Sequence, residues 1–487
     1  MTFIDGTVIN VALPVLQEKL NASQAPAQWI VESYALTLSA LILVGGALGD
    51  KYGRRRIFNI GVVSFIAASL VCRLVSDINQ LIFARAAQGI GAALLVPGSL
   101  AIISATFDKK HRAKAIGTWS GFTAIAAGFG PVLGGWLVDN VSWRWIFYIN
   151  LPLAAAVLAI SFWRVPESKD DEAKGNLDWF GAFLATIGLG GIVYGLTESN
   201  NLGFGNPQVF VSLIVGALAI AAFIFVEDKR ENPMMPLGLF KSKTFAGANL
   251  LTLFLYAALG GILFFLPFNL IQVQNYSATQ AGAALVPFVL TMFLLSRFAG
   301  GLIDRFGAKL PLVVGPIIAG IGFALFSLAP TNSINYWRDF FPAIMVMSLG
   351  MAGSVAPLTT TVMGAVEERR AGIASGINNA VSRTASLLAI AVFGIVMLMT
   401  FNYYLDQKTN VLPAAAQTRL NEQRYKLASA ELSKDFDEKT RRTAEQIVNE
   451  SFVEGFRVVA YFAAGLAFLS AVCSWFLIEG KEIEKKK

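Results

Sequence analysis

Apolar residues fall along the chain in long blocks divided by short polar stretches, not in alternating pairs. A block of about 20 residues, coiled at ~1.5 Å per residue, spans the roughly 30 Å of a bilayer's hydrocarbon core. Membrane β-barrels would instead show stretches of ~10 residues with strict alternation, and none is visible in the sequence. The blocks predict fourteen helices, near 1–20, 27–49, 57–76, 80–106, 113–138, 143–164, 178–197, 208–226, 244–271, 280–303, 309–330, 335–363, 371–400 and 452–478. The expectation is an all-α membrane protein.

The polar interruptions add an internal repeat. Gly46-Ala47-Leu48-Gly49-Asp50-Lys51-Tyr52-Gly53-Arg54-Arg55 closes the second block, and Gly300-Gly301-Leu302-Ile303-Asp304-Arg305-Phe306-Gly307-Ala308-Lys309 closes the tenth. With the seventh and eighth helices taken as an insertion, the tenth becomes the second helix of a second six-helix bundle. The plan is a six-helix bundle over 1–164, a cytoplasmic linker with two inserted helices over 165–241, a second bundle over 242–478 and a tail over 479–487. Within the second bundle, 401–451 is expected to be an external, largely helical loop, with Ala444, Ile447, Val448 and Phe452 along one face. Both a passive external cap and a part in substrate release fit that loop.

Composition agrees with the pattern. The 487 residues are 55% hydrophobic and 15% charged, with a mean hydropathy of +0.59, whereas soluble domains carry about 25% charged residues. The net charge of +7 is spread over short loops and has no aromatic-basic stripe beside it, so it reads as a topology signal and not as a nucleic-acid footprint. Loops after even-numbered helices hold Lys51 with Arg54-Arg55-Arg56, Lys109-Lys110 with Arg112, Lys229-Arg230, Arg305 with Lys309, and Arg369-Arg370. These loops and both termini are therefore expected on the cytoplasmic side of the cell (inner) membrane. Cys72 and Cys473 lie in apolar segments and His111 is the only histidine, so neither a disulfide framework nor a histidine metal site is expected. No G-x-x-x-x-G-K-[ST] phosphate cradle occurs, which points to an ion gradient as the energy source. No nucleophile-base pair suggests an enzyme. No cofactor is implied, no cleavable signal is visible, and the expected state is a monomer in lipid.

The polar residues within the blocks carry the chemistry. The Gly46-x-Leu48-x-Asp50-Lys51-x-Gly53-Arg54-Arg55 loop resembles the signature loop of the major facilitator superfamily, echoed at Asp304, Arg305 and Gly307. In that family it latches the two bundles together on the inner side when the cavity faces outward; as a plain positive loop it would only set topology. Leu81-x-x-x-Arg85-x-x-Gln88-Gly89-x-Gly91-Ala92-Ala93 resembles a second family motif, which implies that Arg85 takes part in proton transfer. Buried, Arg85 needs a carboxylate, carbonyls or water; near its helix end, it could instead snorkel to the surface.

In the fifth block, Gly130-Pro131-Val132-Leu133-Gly134-Gly135 is similar to the family's antiporter motif, with Ala126 where the family usually has glycine. Ordinary small-residue packing is the alternative. Trp143-Arg144-Trp145-Ile146-Phe147-Tyr148-Ile149-Asn150-Leu151-Pro152 and Asp5-Gly6-Thr7-Val8-Ile9-Asn10-Val11-Ala12-Leu13-Pro14 look like the fourteen-helix drug:proton antiporters. Pro14 lies nine residues from Asp5, about 14 Å along the helix, which puts Asp5 near mid-membrane. A lone carboxyl at that depth is protonated or paired, the property a proton carrier needs. Glu32 is expected at a compatible depth, joining Asp5 and Arg85. An outside proton neutralising Asp5 or Glu32 would loosen its hold on Arg85 and on a cationic substrate.

The resemblance thus implies a proton-coupled antiporter that exports amphipathic or cationic small molecules by alternating access. The alternatives are a dedicated exporter of one endogenous metabolite (a lipid, siderophore or amino acid) and a non-transporting membrane receptor. Arg297, Arg383, Glu454 and Arg457 lie at or near expected helix ends and read as residues that snorkel. Only four residues precede Asp5, where a full crossing needs about ten more apolar ones, so the first helix is expected to lack its N-terminal half.

Overall fold

The computed structural model describes residues 1–107, 109–169, 178–230, 233–300, 302–331, 335–367, 371–433 and 435–479; among them every regular element is helical. The first part of the chain forms α1 (Thr2–Lys19), α2 (Gln24–Tyr52), α3 (Arg54–Leu74), α4 (Ile78–Thr106), α5 (Lys109–Asn140), α6 (Trp145–Tyr148) and α7 (Asn150–Arg164). Next come α8 (Trp179–Leu202) and α9 (Pro207–Lys229). The remainder forms α10 (Lys243–Phe268), α11 (Ala278–Ala284), α12 (Val286–Gly300), α13 (Leu302–Phe306), α14 (Lys309–Leu325), α15 (Tyr336–Asp339), α16 (Phe341–Gly364), α17 (Ala371–Lys408), α18 (Ala414–Gln423) and α19 (Glu438–Leu477). Among the described residues, twelve helical spans are long and apolar enough to cross a membrane. α1 and α5 are helical too but stand outside that set.

Local chemistry explains where the helices start and bend. Asp77 caps α4 by accepting from the amides of Asn79 (2.8 Å) and Gln80 (3.2 Å), and Ser277 with Gln280 closes a reciprocal capping box on α11. Prolines at 14, 97, 131, 267, 316 and 357 lie inside helices. Neighbouring helices make such breaks tolerable in a membrane, and after Pro267 the backbone loosens into a π-turn over Asn269–Val273.

Two groups of helices pack internally. In the first, α4 lies against α2 and α3, and α1 against α5; in the second, α10, α14, α16, α17 and α19 surround one another. Between the groups, α5 meets α11 and α12, α2 meets α17, and α1 meets α10. α8 packs on α9 and also touches both α2 and α17. α9 leaves Phe210, Val211, Ile214, Leu218 and Phe225 exposed, as a helix facing acyl chains would.

Among the described residues, polar contacts between the groups are seen at the end opposite the Asp50 loop. Asp139, at the end of α5, accepts from the amides of Ala278 (3.1 Å) and Thr279 (2.7 Å) and from Thr279 Oγ1 (2.5 Å). Gln28 Nε2 of α2 donates to the Ile390 carbonyl of α17 (3.1 Å), and Gln272 Nε2 to Gln17 Oε1 of α1 (3.1 Å). At this end α17 runs on to Lys408 and α19 begins at Glu438, so the expected boundaries at 401 and 451 both fall within helices. Ala444, Ile447, Val448 and Phe452 are buried along one face, which lets α19 continue past its apolar run. The short helical turn at Arg424–Ser429 touches α1: Gln17 Nε2 donates to the Lys426 carbonyl (3.3 Å) and Lys426 Nζ to Asn21 Oδ1 (2.6 Å).

Candidate functional site

α2, α3, α4 and α1 approach closely because small residues face their neighbours. A Cβ on Gly89 of α4 would fall 2.4 Å from the Tyr34 carbonyl of α2, and one on Gly91 would fall 2.6 Å from the Phe65 amide of α3. This proximity brings polar side chains from five helices into one buried cluster. Asp5 of α1 is 3% exposed and Arg85 of α4 is fully buried. Arg85 Nη1 donates to Asp5 Oδ2 (2.5 Å) and to Gln88 Oε1 (2.6 Å), and its Nε donates to the Ile30 carbonyl (3.1 Å). Gln88 Nε2 and Asn150 Nδ2 both donate to Asp5 Oδ1, at 2.9 and 3.1 Å, and both also reach Ser69 Oγ, at 2.7 and 3.4 Å. The Arg85 guanidinium sits 4.3 Å from the centroid of the Tyr34 ring.

The cluster holds one carboxylate against one guanidinium and supplies that carboxylate with two neutral amide donors. Such a pair is costly to desolvate, and its hydrogen bonds offset that cost in part, Arg85 Nη2 being buried without an acceptor. Adding a proton to Asp5 would remove the charge that Arg85 faces while leaving the Gln88 Oε1 and Ile30 contacts, so the tie between α1 and α4 weakens without being erased. Gln88 stands one turn from Arg85 on the same face of the motif read from the sequence, whereas Asn150 and Ser69 were not singled out as site residues.

Glu32 does not join this cluster. It is fully buried, but its Oε2 accepts from Thr197 Oγ1 of α8 (2.9 Å). The geometry of α2 is the cause: Ile30, Ser33, Tyr34 and Thr37 face α4, and at ~100° per residue Glu32 points about 150° away from them. Trp29 Nε1 adds a second bond to α8, donating to Glu198 Oε1 (2.9 Å).

In the Asp50 loop, Gly53 and Gly307 adopt φ of +111° and +74°, which explains glycine at both copies of the turn. Arg54 Nε pairs with Asp50 Oδ1 (2.8 Å). Arg55 Nη1 donates to the Val165 carbonyl (2.9 Å), and the Glu167 carboxylate accepts from the amides of Arg55 (3.0 Å) and Arg56 (3.1 Å) at the start of α3. These partners follow α7, in the same group of helices as the loop itself. Glu167 lay hidden in a stretch that reads as a charged linker. Gly46 lies at ordinary van der Waals distance from Pro97, since a Cβ there would be 3.6 Å from the ring. In the second copy Arg305 is exposed beside the Phe306 ring. The side chain of Asp304 lies outside the described residues.

The glycines of α5 face two different neighbours. A Cβ on Gly130 would fall 2.1 Å from Thr7 Oγ1, and one on Gly134 would fall 2.6 Å from Val8 Cγ1, so both are pressed on α1. A Cβ on Gly135 would fall 2.2 Å from the Ala278 carbonyl, and one on Gly282 of α11 would fall 2.2 Å from the Pro131 carbonyl. The motif at 130–135 is thus where α5 lies backbone to backbone against α11 of the other group. Glu454 and Arg457, expected at a helix end, lie inside α19, which begins at Glu438, and pair there, Arg457 Nη1 with Glu454 Oε1 at 2.7 Å. The side chain of Arg297 lies outside the described residues. Arg383 does not lie at a helix end; it sits well inside α17.

Twelve helical spans among the described residues that are long and apolar enough to cross a membrane, two groups of helices and a buried carboxylate-guanidinium pair define a multi-span helical membrane protein. The chain belongs to the Major Facilitator Superfamily, whose model matches residues 1–390, and it is a multi-span transporter of that family. It is 36% identical over 403 residues to the multidrug resistance protein Stp of Mycobacterium tuberculosis (strain CDC 1551 / Oshkosh), covering 82% of this chain and 73% of that one. It is 30% identical over 485 residues to the puromycin resistance protein pur8 of Streptomyces alboniger, covering 99% and 89%. The tetracenomycin C resistance and export protein of Streptomyces glaucescens is 27% identical over 491 residues, covering 100% and 90%. Among solved structures, a bacterial homolog of the human lysosomal transporter Spinster, inward-facing and unoccupied, superposes with a TM-score of 0.64 at 20% identity, covering 98% of this chain and 95% of that one. A D-xylose-proton symporter gives 0.59 at 15% identity, covering 98% and 94%. These two show the shared fold.

Proposed function

We propose that this chain is a proton-coupled antiporter that exports amphipathic or cationic small molecules by alternating access. The observation that carries the reading is the buried Asp5–Arg85 pair, held among Gln88, Asn150 and Ser69. A proton taken up by this carboxylate leaves the Arg85 charge without its counter-ion in an apolar interior, so proton uptake is coupled to a rearrangement around Arg85. The resistance and export proteins among the relatives support efflux as the direction of transport.

In this reading α1 and α5 complete a fourteen-helix plan. Residues 1–164 and 242–478 are the moving bundles, 165–241 carries the inserted pair α8 and α9, and both termini face the cytoplasm. The contacts of Asp139, Gln28 and Gln17 then close the outer end, and the Gly46, Asp50, Gly53, Arg54 and Arg55 loop, with Asp304, Arg305 and Gly307, is the inner latch. Gly130, Pro131, Gly134 and Gly135 form the surface on which α5 rolls against α1 and α11. A proton entering from outside neutralises Asp5, relaxes Arg85 and biases the bundles toward the other-facing state. Glu32 is a second proton-coupling group, acting through α8.

Dye efflux into inverted vesicles under an imposed pH gradient tests this, with Asp5→Asn, Glu32→Gln and Arg85→Lys beside the parent protein. The expected result is pH-driven flux in the parent and its loss in Asp5→Asn. Undiminished pH-driven flux in all three variants would refute the coupling scheme.

A further inference from the structure

α17 presents one face to α2 in antiparallel register. A Cβ on Gly376 would lie 3.2 Å from Leu43 Cδ2, Ala380 packs on the cluster containing Tyr34 and Leu38, and the Ile390 carbonyl accepts from Gln28 Nε2. Positions 376, 380, 383, 387, 390 and 394 follow at steps of four and three, one stripe of a helix. Arg383 is on that stripe, twelve residues from Ala371, so about 18 Å along the helix and well inside the membrane. It has not snorkelled to either edge.

Arg383 also borders a polar stripe. Ser375, Asn379, Ser382, Arg383 and Ser386 share one side of α17, and Asn379 is exposed there. A helix side carrying an asparagine and an arginine at mid-depth faces a polar cleft, since hydrocarbon would penalise both heavily. Arg85 has Asp5; among the described residues Arg383 makes no ion pair and no hydrogen bond, and its Nε is buried without an acceptor. Tyr34 lies within electrostatic reach of Arg383, and the Tyr34 hydroxyl is likewise buried without a hydrogen-bond partner. Arg383 and the Tyr34 hydroxyl, one from each group of helices, thus occupy one part of the interface as donors without partners, Arg85 Nη2 being a third beside the Tyr34 ring, and no carboxylate of the described residues faces Arg383.

We propose that Arg383, with the Tyr34 hydroxyl, is the binding site for an anionic oxygen group, such as a carboxylate, on the transported amphipath. A ligand oxygen accepting from both would tie the two groups of helices together across the cleft. Favoured substrates of the exporter are therefore zwitterionic or acidic amphipaths rather than plain cations. The proposal rests on the export reading for placing the cleft on the transport path.

Equilibrium binding of a rhodamine with a free carboxylate and of its methyl ester, followed by fluorescence anisotropy on the purified full chain in a neutral maltoside detergent, tests it. The dyes share one cationic ring system and differ in the anion. The parent protein is expected to prefer the acid by about tenfold. Arg383→Gln should erase that preference by weakening the acid alone, Arg383→Lys should retain part of it, and Tyr34→Phe should lower it a few-fold. Ester binding that is unchanged in Arg383→Gln certifies the fold of the variant. Equal binding of both dyes by the parent, or a preference that survives Arg383→Gln, overturns the proposal alone; binding of neither dye overturns it together with the amphipath reading. Phosphatidylglycerol titrated into the same assay separates a lipid source. Competition by the lipid in the parent but not in Arg383→Gln, without any preference between dyes, assigns Arg383 to a lipid phosphate and overturns its role toward substrate.

Discussion

Asp5 and Arg85 are each other's only opposite charge within the buried cluster, and Gln88, Asn150 and Ser69 supply further bonds around them, although Arg85 Nη2 is buried without an acceptor. Removing one partner strands the other in a medium that cannot solvate it, at a cost of about 3–5 kcal/mol. Asp5→Asn should therefore lower the temperature at which the protein loses its monodisperse elution peak after heating. The double variant Asp5→Asn, Arg85→Gln should recover a substantial part of that loss, because no charge is then left alone. A double variant as unstable as the sum of the two singles would mean the pair does not act as a unit. The pairing was legible in the sequence, since residue spacing fixes depth along a helix and two charges at matching depth seek each other. Depth says nothing about direction around the axis, which is why Glu32, at a suitable depth, turned out to face α8. Arg383 reads from the sequence as a charge that snorkels, yet the expected helix at 371–400 and the observed α17 both put it twelve residues past Ala371, too deep for either edge.

At the scale of elements, the ends of α5 and α11 are joined by three hydrogen bonds to one carboxylate, that of Asp139. Asp139→Ala removes a cap of the kind worth about 1 kcal/mol, enough to shift the balance between closed and open outer ends about fivefold. The expected outcome is faster labelling, by an impermeant maleimide added outside, of a cysteine replacing Gln272 in protein whose Cys72 and Cys473 are serine. An unchanged labelling rate would show that the α5–α11 junction does not hold that end shut. The helices themselves were readable from apolar block length. Their breaks at Ile149 and Leu285, and the extension of α19 back to Glu438, were not, because they depend on which residues a neighbour covers. The buried Ala444, Ile447 and Val448 were visible as a spaced stripe in a stretch otherwise polar.

For the molecule as a whole, among the described residues the polar contacts seen between the two groups lie at one end, and at the other Arg55 and Arg56 of the Asp50 loop are bonded to Glu167 and Val165 within their own group. A protein that works by alternating access must break the first set in each cycle. Cysteines at Gln28 and Ile390, joined by a short reducible cross-linker in the Cys72→Ser, Cys473→Ser background, should stop dye efflux by more than about tenfold. Reduction should restore it. Transport that continues at full rate through the cross-link would mean that α2 and α17 do not separate there.

α8 borders α2 on one side and α17 on the other, yet among the described residues its side-chain hydrogen bonds to these two run to α2 alone, through Thr197 to Glu32 and Glu198 to Trp29. One flank is pinned by polar bonds and the other is held by apolar shape. If the two flanking helices part as the proposed cycle requires, the cheaper surface to shear is the greasy one, so α8 and its companion α9 would travel as ballast of the N-terminal group, and the seam would run along α17.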